Sequence, residues 1–84
     1  MDAAAEIRAY IVDHFLFGDA DRLTDDTSFL ASRVVDSTGI MELISFIEGR
    51  YNIAVEDQEM VPQNLDSVNN LVAYITRKTG KAAA

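Results

Sequence analysis

Three stretches of this chain repeat apolar residues at intervals of three and four, and nothing between them alternates apolar and polar for more than a few residues. That pattern is the periodicity of helices with one buried face, and it excludes a sheet. Residues 3–17 carry Ile7, Ile11 and Phe15 at successive helical turns, with Tyr10 beside them. Asp2 can cap this helix, and Gly18 stops it before the polar run Asp19-Ala20-Asp21-Arg22. In residues 37–51, Ile40, Leu43, Ile44, Ile47 and Tyr51 share one face, with Met41 and Phe46 on opposite flanks. A last helix follows Asp66 as cap, with Val68, Leu71, Val72 and Ile75 as its stripe. It has Arg77 and Lys78 in the final turn and Gly80 as its stop.

Residues 18–36 then form a long connection, with Leu23, Phe29 and Leu30 expected to anchor it on the core. A connection that long inside a compact domain is commonly functional. Residues 56–61 read as a short helical turn ended by Pro62, because the residue before a proline disfavours the helical region. The expected fold is all-α: a four-helix bundle with a long first loop and a short third helix, in a single domain over residues 1–79 with a loose tail over 80–84.

At 84 residues the core is thin, and no cysteine is present to staple it, to bind metal or to act as a nucleophile. Any thioester chemistry must use a thiol brought in from outside. The net charge of −7 repels nucleic acid and anionic membranes and attracts a basic protein partner. No apolar run is long enough to insert into a membrane, and the charged start has no export-signal core, which points to the cytoplasm and a monomer.

Catalytic constellations are scarce. His14 is the one histidine and reads as a surface or partly packed residue. No glycine-rich phosphate loop occurs, and the groups Asp25–Asp26 and Glu56–Asp57–Glu59 read as solvated helix or turn charges. What remains is Val34-Val35-Asp36-Ser37, opening an amphipathic helix where either Asp36 or Ser37 can be the N-cap. A serine there lies among backbone N–H groups that lack partners, at the positive end of the helix dipole, where a phosphate joined to it is favoured.

With Phe29 and Leu30 ahead of Asp36-Ser37, the helix bearing Ile40, Glu42, Leu43, Ile44 and Glu48, Ile53 and Val55, the acidic turn 56–59 and the closing helix 68–75, nearly the whole chain resembles the acyl and peptidyl carrier protein family. The resemblance implies a non-catalytic acyl-carrier bundle. Its Ser37 receives 4′-phosphopantetheine from coenzyme A through a phosphopantetheinyl transferase with Mg²⁺, and Asp36 supports that attachment. The arm then bears acyl or aminoacyl thioesters for fatty acid, polyketide or nonribosomal biosynthesis. It also implies loading by acyl or aminoacyl ligases or synthases, with Met41 and Glu42 contacting partners. Phe46, off the core stripe like Met41, and Thr38 and Glu48 complete the expected partner-binding set. Thr38 stands where a leucine is common and Arg33 where a glycine is common, and the second helix holds few acids. These departures imply a stand-alone carrier of a specialised pathway. The alternative is an unmodified helical interaction module.

Overall fold

The structure, a computed structural model, describes residues 3–80. The expected Asp2 cap and the tail beyond Gly80 lie outside them. Every regular element among the described residues is helical: α1 (Ala3–Phe15), α2 (Ser37–Tyr51), α3 (Pro62–Leu65) and α4 (Val68–Thr79), with single 3₁₀ turns at Ala20–Arg22 and Asp57–Glu59. No helix among these residues is long and apolar enough to cross a membrane.

Helix α1 buries Ile7 and Ile11, one turn apart, completely. It ends at Phe15, two residues earlier than its periodicity suggests, because Phe17 (φ 53°) and Gly18 (φ 89°) are both left-handed. The Gly18 N–H turns back to the Val12 carbonyl at 2.9 Å. This reversal drops Leu16 into the core and leaves Phe17 94% exposed.

The long connection is pinned by Leu23, Phe29, Val34 and Val35, all buried. Leu30 does not anchor it as expected. Its side chain is half exposed, because its backbone N–H and that of Phe29 are both drawn to Asp66 and its side chain is left facing outward.

Helix α2 has the boundaries its periodicity implies, and Leu43, Ile44 and Ile47 form its buried face. Ile40 and Tyr51, expected on the same stripe, are half-buried. Tyr51 keeps its hydroxyl at the rim, where it donates to Glu6 Oε1 at 2.7 Å while Arg50 pairs with Oε2. Together, Tyr51 first and then Arg50, they hold the Glu6 carboxyl below its ordinary range and clamp α1 to the end of α2. Asn52 ends α2 in the left-handed conformation, a role open to asparagine as well as glycine.

The segment after α2 departs from the reading of one turn stopped by Pro62. A 3₁₀ turn occupies Asp57–Glu59, and Pro62 begins α3 instead of ending a helix. At a first helical position the missing N–H costs nothing and the fixed φ is already helical. The cap of α4 is Ser67, whose Oγ accepts from the Asn70 N–H at 3.0 Å. Asp66 reaches the other way, accepting from the Ser28 hydroxyl and the Leu30 N–H. The buried face of α4 is Val68, Leu71, Tyr74 and Ile75, with Val72 half-buried at its edge.

Candidate functional site

The start of α2 is built by the turn before it. The Phe29 carbonyl accepts from Val34 N–H at 2.9 Å and Val35 N–H at 3.3 Å, curling the chain so that both valines point inward. Arg33 completes the curl at φ 57°, a conformation that glycine adopts without cost and that explains why glycine suits the position. With the valines buried, Asp36, Ser37 and Thr38 emerge together on the surface.

Of the two residues that can cap α2, the structure uses Asp36. Its Oδ1 accepts from the Gly39 N–H at 2.6 Å, and its carbonyl accepts the first helical bond, from Ile40, at 2.9 Å. Ser37 is therefore the first helical residue, exposed, its side chain not committed to capping. The N–H groups of this first turn have no carbonyl ahead of them inside the helix and carry the positive end of its dipole.

Gly39 is a residue that the sequence reading passed over. A methyl group there would lie 2.8 Å from Phe15, 3.1 Å from Val35 and 3.2 Å from the capping oxygen of Asp36. The end of α1 thus packs directly on the first turn of α2, and the glycine makes room for it. A helix-interior glycine, where alanine is favoured by about 1 kcal/mol, marks a close approach at Gly39 and none at Gly49, where a methyl group would meet open space. We expect Gly39→Ala to lower stability by about 1–3 kcal/mol, the usual range for overpacking, despite alanine's better helix propensity. Thermal melts of the two proteins check this; an equal or higher melting temperature would show that Phe15 swings aside freely.

Beside Ser37 opens an apolar cavity of about 220 Å³. Ile44 and Leu65, both buried, form its floor, while Met41 on α2, Met60 and Val61 ahead of α3, and Pro62 at its start form an exposed rim. Residues from three separate parts of the chain, Leu30, α2 and the stretch 60–66, meet here, so no local spacing could have revealed it. On the other side of the α2 N-terminus, Thr38 and Glu42 border a shallower hollow with Phe15, Phe17 and Arg33.

The residues expected to face partners divide into two groups. Thr38, Met41 and Glu42 are exposed, Met41 at 54%. Phe46 and Glu48 are used inside the fold instead. Phe46 is half-buried and stacks on Tyr10 of α1 with ring centroids 4.1 Å apart. Glu48 turns toward the end of its own helix and accepts from the Val55 N–H at 2.9 Å, fixing the turn after α2. His14 is exposed and packs one face, as a surface or partly packed residue: its ring lies 4.1 Å from that of Tyr10, so Tyr10 sits against both His14 and Phe46. Burial, then the charge of Glu42, raises the Tyr10 hydroxyl above its ordinary range.

Comparison with known proteins places the chain beside one family. The family model described as a phosphopantetheine attachment site matches residues 5–75. The chain is 35% identical over 75 residues to an acyl carrier protein of Akkermansia muciniphila, covering 89% of this chain and 90% of the relative. It is 31% identical over 68 residues to the probable acyl carrier protein PigG of a Serratia species, covering 81% of this chain and 78% of the relative. An acyl carrier protein of Helicobacter hepaticus is 28% identical over 75 residues, 89% of this chain and 95% of the relative.

Proposed function

Because the chain belongs to the acyl carrier protein family, whose members bear a phosphopantetheine attachment site, we propose that Ser37 is the residue to which its 4′-phosphopantetheine is joined. The protein is a carrier and not a catalyst: when bound, the group supplies the thiol on which acyl cargo is held as a thioester. The chain itself, with no cysteine, has no such thiol.

The observation that carries the assignment is the seat of Ser37. It is an exposed hydroxyl at the first position of a 15-residue helix, relieved of capping by its neighbour Asp36 and bordering an apolar cavity. The unpaired N–H groups of that turn favour a phosphate ester there. Asp36 supports attachment by holding the turn in shape. The cavity offers an apolar cargo shelter from water. An unmodified interaction module is not favoured, since the matching family is the one defined by its attachment site.

The test is to incubate the apo-protein with coenzyme A, Mg²⁺ and a broad-specificity phosphopantetheinyl transferase. Its mass should rise by one phosphopantetheine, one thiol should appear, and peptide mapping should place both on the peptide containing Ser37. Modification at Ser32 or Ser45, which are also exposed, would overturn the assignment.

Thr38, Met41 and Glu42 form the docking surface for the transferase and for the acyl- or aminoacyl-loading ligase or synthase that follows it. They flank Ser37 and are exposed, and Met41 presents a large adaptable apolar side chain. Truncating a contact of this kind costs about 1 kcal/mol, roughly fivefold in loading efficiency. Met41→Ala should therefore slow arm attachment several-fold with the melting temperature unchanged. Were the melting temperature to fall steeply while the folded fraction loaded normally, Met41 would belong to the core.

A further inference from the structure

Glu59, expected as a solvated turn charge, instead ties the chain between α2 and α4 to α4. Glu59 Oε1 accepts from the Glu56 N–H at 3.0 Å, from the Tyr74 hydroxyl at 2.9 Å and from the Lys78 ammonium at 3.0 Å. Its carbonyl accepts from the Asn64 side chain at 2.9 Å, and Arg77 in turn donates to Asn64 Oδ1 at 2.6 Å. Tyr74, Arg77 and Lys78 all stand on α4, and the Tyr74 ring is 1% exposed. A tyrosine so deep in the core has one polar atom to satisfy, and it spends that hydrogen bond on a residue of a short turn.

The residues immediately after Glu59 are Met60, Val61 and Pro62, the rim of the cavity beside Ser37. Met60 and Val61 are more than a third exposed, so apolar burial does little to hold them in place. The far end of this wall is held separately, by buried Leu65 and by the Asn70 side chain of α4, which donates to the Pro62 carbonyl at 3.1 Å. Its near end, Met60 and Val61, is fastened by the polar attachment one residue upstream.

We infer that Glu59 is the latch of the cavity: its bonds to Tyr74 and Lys78 hold the 60–65 wall closed against α2, and losing them frees the wall while the α1–α2–α4 core stays folded. The groups facing the latch are Glu56 on its own turn, Tyr74 and Lys78 on α4, Arg77 over the Tyr74 ring at 5.9 Å, and the charge of Glu48 from α2. The Glu56 N–H first, then the Lys78 ammonium, hold the Glu59 carboxyl below its ordinary range, so it is charged and accepting at neutral pH. Tyr74, raised well above the usual tyrosine range by burial and then by Glu59, keeps its proton and donates. The wall's motion stands on this geometry alone; that the motion admits cargo rests on the function proposed above.

Amide hydrogen exchange of the apo-protein, followed residue by residue, tests the latch. The reporters are the N–H groups of Asn64, Leu65 and Asp66, which bond to Val61 and Pro62 carbonyls within the wall. In Glu59→Ala they should exchange about tenfold faster or more, the size expected for a lost charge-assisted hydrogen bond, while Ile44, Ile47 and Leu71 stay within about twofold. Tyr74→Phe keeps the buried ring and removes only the hydroxyl, so it should give a smaller change confined to the same three residues. Glu59→Gln, which keeps an accepting oxygen, should restore most of the protection. Unchanged exchange in the wall, or equal acceleration at wall and core, would overturn the latch.

A second arm uses the holo-protein carrying an octanoyl thioester, exposed to hydroxylamine, which takes the acyl group as a hydroxamate and releases the thiol. Glu59→Ala should be cleaved faster than the unsubstituted protein. If the wall amides accelerate and cleavage does not, the latch stands and the reading of the cavity as a cargo shelter falls.

Discussion

Ser37→Ala is expected to gain no mass at all when incubated with coenzyme A, Mg²⁺ and a phosphopantetheinyl transferase, under conditions that convert the unsubstituted protein fully. The effect is all or none because the variant lacks the oxygen that forms the phosphodiester. It is also clean, because Ser37 is exposed and Asp36, not Ser37, caps the helix. Alanine at a first helical position leaves stability within about 0.5 kcal/mol, as for most surface substitutions. Circular dichroism and the melting temperature should therefore match the unsubstituted protein while intact mass does not move. Ser32 in the preceding loop and Ser45 on α2 are internal controls: both are exposed, and neither stands at a helix start. Residual modification of Ser37→Ala at either one would displace the proposed site.

Leu43→Ala is the second large effect, and it is on stability. Leu43 is completely buried on the inner face of α2, in the same cluster as Ile11, Leu71 and Ile75. Removing most of a buried leucine side chain typically costs about 2–5 kcal/mol, the spread reflecting how far the neighbours collapse into the space. A domain of this size has about 4–13 kcal/mol at the usual 0.05–0.15 kcal/mol per residue. Leu43→Ala should thus lose a large share of its stability, read as a lower urea midpoint with an unchanged slope. Ile44→Ala is a less direct test of the core, because Ile44 also floors the cavity beside Ser37, and its truncation enlarges a space that already exists. A near-normal midpoint for Leu43→Ala would mean that the buried face of α2 has been misassigned.

These two residues also mark what the sequence makes legible. Leu43 and Ile47 are readable because a helix repeats every 3.6 residues and a core must bury one face of it, so spacing alone identifies them. The boundaries of α2 follow from the same logic, with a capping aspartate at one end and a turn-forming asparagine at the other. Ser37 is readable as a helix-start serine from local chemistry, and as an attachment site through the family resemblance.

Features made by contacts between distant segments are different. Tyr74 is absent from the stripe expected on α4, and its polar end is satisfied by a partner, Glu59, that no spacing on α4 predicts. Pro62 reads as a stop, and becomes a start, because a proline breaks the helix before it and suits the helix after it equally well. Leu30 and Phe46 illustrate the same limit on the surface. Leu30 lines the cavity beside Ser37, and Phe46 stands on α2, the helix that Ser37 opens. Backbone bonds to Asp66 turn Leu30 outward, while Tyr10 covers Phe46.

The tie between Phe29 and Asp66 has a consequence for when the protein can be modified. The Phe29 N–H donates to the Asp66 carbonyl at 2.8 Å, and the Asp66 side chain gathers Ser28 and Leu30. The same Phe29 carbonyl curls Val34 and Val35 into place ahead of Ser37. The shape around the serine therefore depends on a residue that leaves the ribosome well after it does. Helices α1 and α2 can form from local contacts as they are synthesised, but the loop between them acquires its final path only once residue 66 is available to receive it. A transferase that reads this folded surface should therefore modify chains stalled before residue 66 more slowly than the full-length chain, which the mass of ribosome-stalled chains after incubation would show.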